Sequence, residues 1–281
     1  METMIPPSLD DSMQEALVGL QRVAPTDLSV IILGEPGTGK EWAARLTHQM
    51  SNRASAPFHT VDCGAVGAAN IERELFGYDA ISWEHIEINR SAFEEASGGT
   101  LFLHDFETIP VPVQLKVARA VEFRQFRKIG GDESQEVNVR LIATTSRPTD
   151  TDGTQGIRAE DIVSRLAAIT VTLPPLRNRR SDIPVLIERF LNEMRDRYLN
   201  PVKGISRETL ALCYEFSWPG NVRQLKNAIE YAAIMCSGGM IDPQHLPPYF
   251  HNHSSIAKTG IAKTGLVKTG MAKTGISKTG S

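Results

Sequence analysis

A chain of 281 residues with 41% apolar and 22% charged side chains has the composition of a soluble globular protein, long enough for one large core or two modest ones. No apolar run reaches the roughly eighteen residues a membrane helix needs, and Met1-Glu2-Thr3-Met4-Ile5-Pro6-Pro7 has neither a basic stretch nor an apolar signal core, so the expected location is the cytoplasm. The net charge of −3 divides into +5 on residues 256–281 and −8 on residues 1–255, which argues against nonspecific nucleic-acid binding by the body.

In chain order, the first strong element is an apolar strand over residues 29–33. It runs into Gly34-Glu35-Pro36-Gly37-Thr38-Gly39-Lys40, and a helical pattern follows over 41–50. Strand, glycine loop and helix start form the arrangement in which backbone N–H groups surround a phosphate chain while Lys40 reaches its outer phosphates. The generic pattern has Ser or Thr after the lysine to hold magnesium, and Glu41 stands there instead. Further strands are predicted over 58–62, 100–103, 139–144 and 169–173, alternating with helices over 70–75, 113–122 and 160–166. That alternation predicts an α/β fold, a parallel sheet covered by helices.

After Pro174-Pro175-Leu176-Arg177 the strand signals stop, and residues 183–198, 206–216 and 221–236 read as helices. Ser206 with Thr209 and Asn221 with Gln224 supply N-cap signals, and Gly238-Gly239 closes the last helix. The expected organisation is a short tail over 1–9, an α/β nucleotide-binding domain over 10–174 and a small helical lid over 175–250. Residues 251–281 form a tail built on repeats of Ile-Ala-Lys-Thr-Gly. A five-residue period fits neither helix nor strand, so this tail is expected to be solvated; the alternative is weak contact with phosphate or an acidic surface through Lys258, Lys263, Lys268, Lys273 and Lys278. Cys63, Cys213 and Cys236 are odd in number and widely spaced, which predicts reduced buried thiols.

Several segments together resemble the AAA+ central domain of sigma-54-dependent enhancer-binding proteins, the bacterial ATPases that remodel RNA polymerase carrying sigma-54. They are the loop from Leu33 to Glu41, Glu74-Leu75-Phe76-Gly77, Gly98-Gly99-Thr100-Leu101-Phe102-Leu103, Leu173-Pro174-Pro175-Leu176-Arg177 and Trp218-Pro219-Gly220-Asn221-Val222-Arg223. The resemblance implies a P-loop AAA+ fold with a helical lid, ATP and Mg2+ as cofactors, self-association or association with AAA+ relatives, and contact with RNA polymerase. It assigns Gly34, Glu35, Pro36, Gly37, Thr38, Gly39, Lys40 and Glu41 to nucleotide binding and gives Arg223 the role of a second sensor facing the γ-phosphate.

The chain departs from the family where chemistry is done. After Leu103 the family has Asp-Glu, for the magnesium water shell and the attacking water, and this chain has His104-Asp105. A neutral imidazole suits hydrated magnesium poorly, and Asp105 is one methylene shorter than Glu, so hydrolysis is expected to be slow or absent. Asp105 is therefore the candidate catalytic carboxylate and, with Glu41, the candidate metal ligand, with Glu107 or Glu41 as helpers. Asp62 stands where the family has an Asn, and Ser146 replaces the sensor Asn. Arg165 keeps the second arginine-finger position, while the first is Ala159 with Arg158 one residue early. The sigma-54 contact motif Gly-Ala-Phe-Thr-Gly-Ala does not occur in the chain, and residues 78–86, with Trp83, occupy its place.

Two functional classes follow. One is a nucleotide-binding regulator, weakly or non-hydrolysing, that acts through protein contacts; the other is an active ATPase with rearranged catalytic groups. A third reading adapts the phosphate site to a ligand such as a cyclic dinucleotide. With no room for a receiver domain before residue 10 and repeats after Phe250, sequence-specific DNA binding is not expected.

Overall fold

The computed structural model describes residues 8–79, 90–146, 166, 168–198 and 202–250. Its centre is a five-stranded sheet made of β1 (Val30–Leu33), β2 (Phe58–Asp62), β3 (Thr100–His104), β6 (Arg140–Thr145) and β7 (Ile169–Thr172), ordered β2-β3-β6-β1-β7. Every pairing in it is parallel. All five predicted strands are present, and the parallel α/β reading holds.

The inner strands read as unbroken apolar runs because both faces of the sheet are covered. On one face Val30, Ile32, Phe102 and Ile142 pack against α1 (Asp11–Val23) and α2 (Lys40–Gln49). On the other Ile31, Leu101, Leu103, Leu141 and Ala143 meet the short helices α3 (Cys63–Val66), α4 (Ile71–Phe76) and α5 (Ala92–Glu95) and the longer α6 (Val111–Phe123). The helix α1 was not among the predicted elements. Asp10 caps it by accepting from the Met13 N–H at 3.1 Å, and Met13, Ala16, Leu17 and Leu20 form its buried stripe. A small antiparallel hairpin, β4 (Gln125–Arg127) with β5 (Ser134–Glu136), follows α6.

The C-terminal part has its own core around the helices Ile183–Tyr198, Arg207–Glu215 and Asn221–Met235. Trp218 is fully buried there, its indole N–H donating to the Cys213 carbonyl at 2.7 Å and its ring 5.0 Å from Phe216. The expectation that strands end near Pro174 is corrected, because β8 (Val202–Ile205) pairs in parallel with β9 (Gly239–Ile241) inside this part. Each is too short and glycine-bearing to show alone, and each exists only through the other. All three cysteines are free and buried, and burial pushes the thiols of Cys63 and Cys213 up to about 12.

Candidate functional site

The ends of β1, β3 and β6 meet at the carboxyl edge of the sheet, where parallel α/β folds place their ligands. After β1 the chain turns through Gly34–Lys40, with Gly37 at φ +80° and Gly39 at φ +103°. Only glycine holds such angles without strain, and the turn leaves the start of α2 facing the cleft. Thr38 braces the loop by donating its hydroxyl to the Glu35 carbonyl at 2.8 Å.

Lys40 is 5% exposed, and its Nζ donates to the Gly34 carbonyl at 2.7 Å and to Ser146 Oγ at 2.8 Å. Burial lowers the ammonium pKa, while the nearby carboxylates Asp105 and Glu107 act to raise it. Asp105 sits in the left-handed region at φ +54°, its N–H bonded to Thr144 Oγ1 at 3.1 Å, and its Oδ2 is 3.3 Å from His104 Nδ1. Glu107, on the next turn, accepts the Ser146 N–H on Oε1 at 2.7 Å; its Oε2 is buried without a hydrogen-bond partner among the described residues. Lys40, Asp105 and Ser146 thus line one wall of the cleft, with Glu107 bonded behind Ser146.

Glu41 lines the same cleft, but its carboxylate is 3.0 Å from Arg45 on the outer side of α2. Asp62 caps α3 by accepting from the Ala65 N–H at 3.0 Å, opposite His104 in the strand register. Arg158, Ala159 and Arg165, like Trp83 and the lysine repeats, lie outside the described residues. No cluster of three or more His, Cys, Asp or Glu side chains suited to a metal occurs among the described residues. A magnesium ion held mostly by water and nucleotide oxygens needs only one or two carboxylates, so Asp105 fits that demand without such a cluster.

The other wall is the lid. The Gly37 carbonyl accepts the N–H groups of Val222 at 2.9 Å and Arg223 at 3.3 Å, so the loop caps the start of helix Asn221–Met235. A Cβ on Gly37 would lie 2.3 Å from the Gly220 carbonyl oxygen, which shows how closely the two backbones approach. Asn221 is not the N-cap its sequence position suggests. It is fully buried at φ +51°, and its amide donates to the Pro36 carbonyl at 3.0 Å and to Glu35 Oε2 at 3.2 Å, while its Oδ1 accepts the Leu176 N–H at 2.8 Å.

Glu35 also takes a two-pronged bond from Arg177 at 2.8 and 2.5 Å, and that guanidinium, helped by Asn221, holds its carboxyl down to about 2. Arg179 donates to the Thr38 carbonyl at 2.7 Å, and Ser8 donates to Asp182 at 2.8 Å. The Glu35 carboxylate and the Pro36 carbonyl are therefore turned to the lid.

Between these walls is a cleft of about 400 Å³ lined by Gly37, Lys40, His104, Asp105, Ser146 and Arg223. Next to it, and sharing Gly39 and Trp42, is an apolar pocket of about 200 Å³ with Met13, Leu17, Leu186 and Phe190. Sequence reading did not find this pocket. Its only local signal is the apolar stripe of α1, since the rest depends on bringing residues 13 and 17 to residues 186 and 190. Phosphate loop, lysine and adjoining apolar pocket together suit a nucleotide.

The family model of the sigma-54 interaction domain matches residues 8–172, and that of the AAA+ ATPase lid domain matches residues 177–262. The transcriptional regulatory protein ZraR of Salmonella typhimurium is 37% identical over 237 residues, covering 84% of this chain and 54% of the relative. The sigma54-dependent transcriptional activator SfnR of Pseudomonas putida is 38% identical over 239 residues, covering 84% and 65%. The crystal structure of NtrX from Brucella abortus in complex with ATP superposes with a TM-score of 0.78 at 31% identity, over 93% of this chain and 61% of that one. The chain spans between half and two thirds of the length of these relatives.

Proposed function

This chain belongs to the sigma-54 interaction domain family, the AAA+ module of bacterial transcriptional regulators, and on that premise we propose that it is an ATP-binding regulator that hydrolyses nucleotide slowly or not at all. In this reading it works in the cytoplasm through protein contacts, by assembling with itself or with intact AAA+ relatives, and RNA polymerase is the second candidate partner. The carrying observation is the contrast between the two sides of the cleft. The loop that takes phosphate is fully formed, with Gly37, Gly39 and Lys40 in place, whereas the facing strand end offers His104 and a single strained Asp105.

The base would enter the apolar pocket beside Trp42, the phosphates would follow the Gly34–Lys40 loop, and Arg223 would close on the outer phosphate from the lid. Asp105 would hold magnesium through its water shell, with Glu41 released from Arg45 as a second ligand. The metal, when bound, supplies charge neutralisation on the phosphates. Asp105 also remains the carboxylate that orients water, at a reach one methylene short. Arg158 and Arg165 are the candidate fingers toward a neighbouring subunit's nucleotide.

A second reading, an active ATPase that remodels polymerase, is favoured by one observation. Glu107 stands on the turn after Asp105 with a buried, unpartnered oxygen, and so offers a replacement carboxylate. The deciding experiment gives purified chain radiolabelled ATP and magnesium and scores binding and phosphate release in one sample, with Lys40→Ala as the blank. Binding without release, lost in the blank, upholds the regulator. Release that vanishes in Asp105→Asn or Glu107→Gln establishes the enzyme.

A further inference from the structure

A second groove lies away from the nucleotide cleft, on the α6 side of the sheet. It has a volume of about 620 Å³ and runs between α4, α6 and the β4–β5 hairpin. Phe76, Ala120 and Phe126 form a buried apolar floor. At the rim Phe123 is 67% exposed and Ile129 is 40% exposed, so apolar surface adjoins the buried floor.

Four cations line the groove, namely Lys116, Arg119, Arg127 and Lys128. Lys116 pairs with Glu72, and Lys128 pairs with Glu94 at 2.9 Å. Arg119 and Arg127 have no ion pair among the described residues, and both are exposed. A body carrying −8 thus concentrates two uncompensated guanidiniums around one exposed phenyl ring.

We propose that this groove docks a short segment of a partner protein in which two or more carboxylates flank an aromatic or branched aliphatic residue. Guanidiniums match carboxylates two-pronged, and Phe123 with its apolar floor gives the central side chain a desolvated seat, the composition expected of an interaction hot spot. Residues 256–281 of this chain carry lysines and no acid, so they cannot supply the segment. A single-stranded nucleic acid would also stack on Phe123, and it is one outcome of the test below. The positive charge is local, and so is the ligand it fits.

The test pans a random dodecapeptide display library on the full chain, with the Arg119→Gln/Arg127→Gln chain as the counter-selection. Enriched peptides are expected to carry at least two Asp or Glu around Phe, Trp, Leu or Ile. Synthetic copies should bind the wild-type chain and weaken by about tenfold or more in the double variant and in Phe123→Ala. Because these side chains are exposed, both variants should keep the wild-type melting temperature and ATP binding; if the double variant does not fold, Phe123→Ala decides alone. Three results overturn the proposal: no enrichment over the counter-selected chain, enriched peptides without acidic residues, or an oligothymidine that binds through the arginines and is not displaced by acidic peptides.

Discussion

Replacing Asn221 by Ala tests how far the lid and the phosphate loop depend on one buried amide. The change removes the acceptor of the Leu176 N–H, which is buried, and the donor to the Pro36 carbonyl. A buried group left unpaired costs about 1–3 kcal/mol, and the Pro36 carbonyl, only partly buried, falls at the low end. Residue 221 also sits at φ +51°, a left-handed angle that Asn tolerates and Ala resists by about 1 kcal/mol. Together these give a loss of about 3–5 kcal/mol. Asn221→Gly should lose about 1 kcal/mol less, since it shares the unpaired groups and escapes the backbone strain. Urea unfolding of both variants, followed by tryptophan fluorescence, measures each value, and isothermal titration then follows ATP. Both variants should bind ATP more weakly, because Glu35 and Pro36 lose their common brace. A loss below 1 kcal/mol for Asn221→Ala, or equal losses for Ala and Gly, would refute the reasoning.

Lys40→Ala should abolish ATP binding in a filter assay while leaving the melting temperature within a few degrees, since among the described residues its ammonium bonds to the Gly34 and Glu35 carbonyls and the Ser146 hydroxyl alone. The Glu35 carboxyl falls from 4.5 to about 2 on folding, so its contribution to stability is complete above pH 4.5 and is lost as the pH drops toward 2. Urea midpoints of wild type and Glu35→Gln should therefore differ at neutral pH and converge in that acid window; a constant gap would exclude the Arg177 contact as its source. Trp218→Ala should cost about 3–5 kcal/mol, read as a fall in the lid's unfolding midpoint, because a fully buried indole leaves a large cavity. A colorimetric thiol reagent at pH 8 should leave Cys63 and Cys213 unmodified until denaturant is added, and prompt reaction of either would contradict its burial.

The sequence displayed the sheet and the phosphate loop because their signals are local. Val30–Leu33 and Leu141, Ile142 and Ala143 are unbroken apolar runs, and the positive-φ Gly37 and Gly39 follow β1. The lid strands were invisible for the opposite reason, since Val202–Ile205 and Gly239–Ile241 gain their pairing from residues more than thirty positions apart. Asn221 reads as an N-cap in its own neighbourhood, yet its partners come from residues 35, 36 and 176. Glu35 and Pro36, grouped by motif with phosphate binders, turn the Glu35 carboxylate and the Pro36 carbonyl to the lid, which only the positions of Arg177 and Asn221 in three dimensions reveal.

The Gly37 carbonyl accepts from the first turn of the lid helix, and this joins two tasks in one stretch of backbone. A substitution at Gly37 therefore disturbs both the loop and the start of the lid helix, so it must satisfy two requirements at once. Among the described residues, His104, Asp105 and Ser146 on the opposite wall make no hydrogen bond to the lid. Mutational drift is therefore channelled: side chains on one side of the cleft can change while the backbone joint between loop and lid stays mechanically intact.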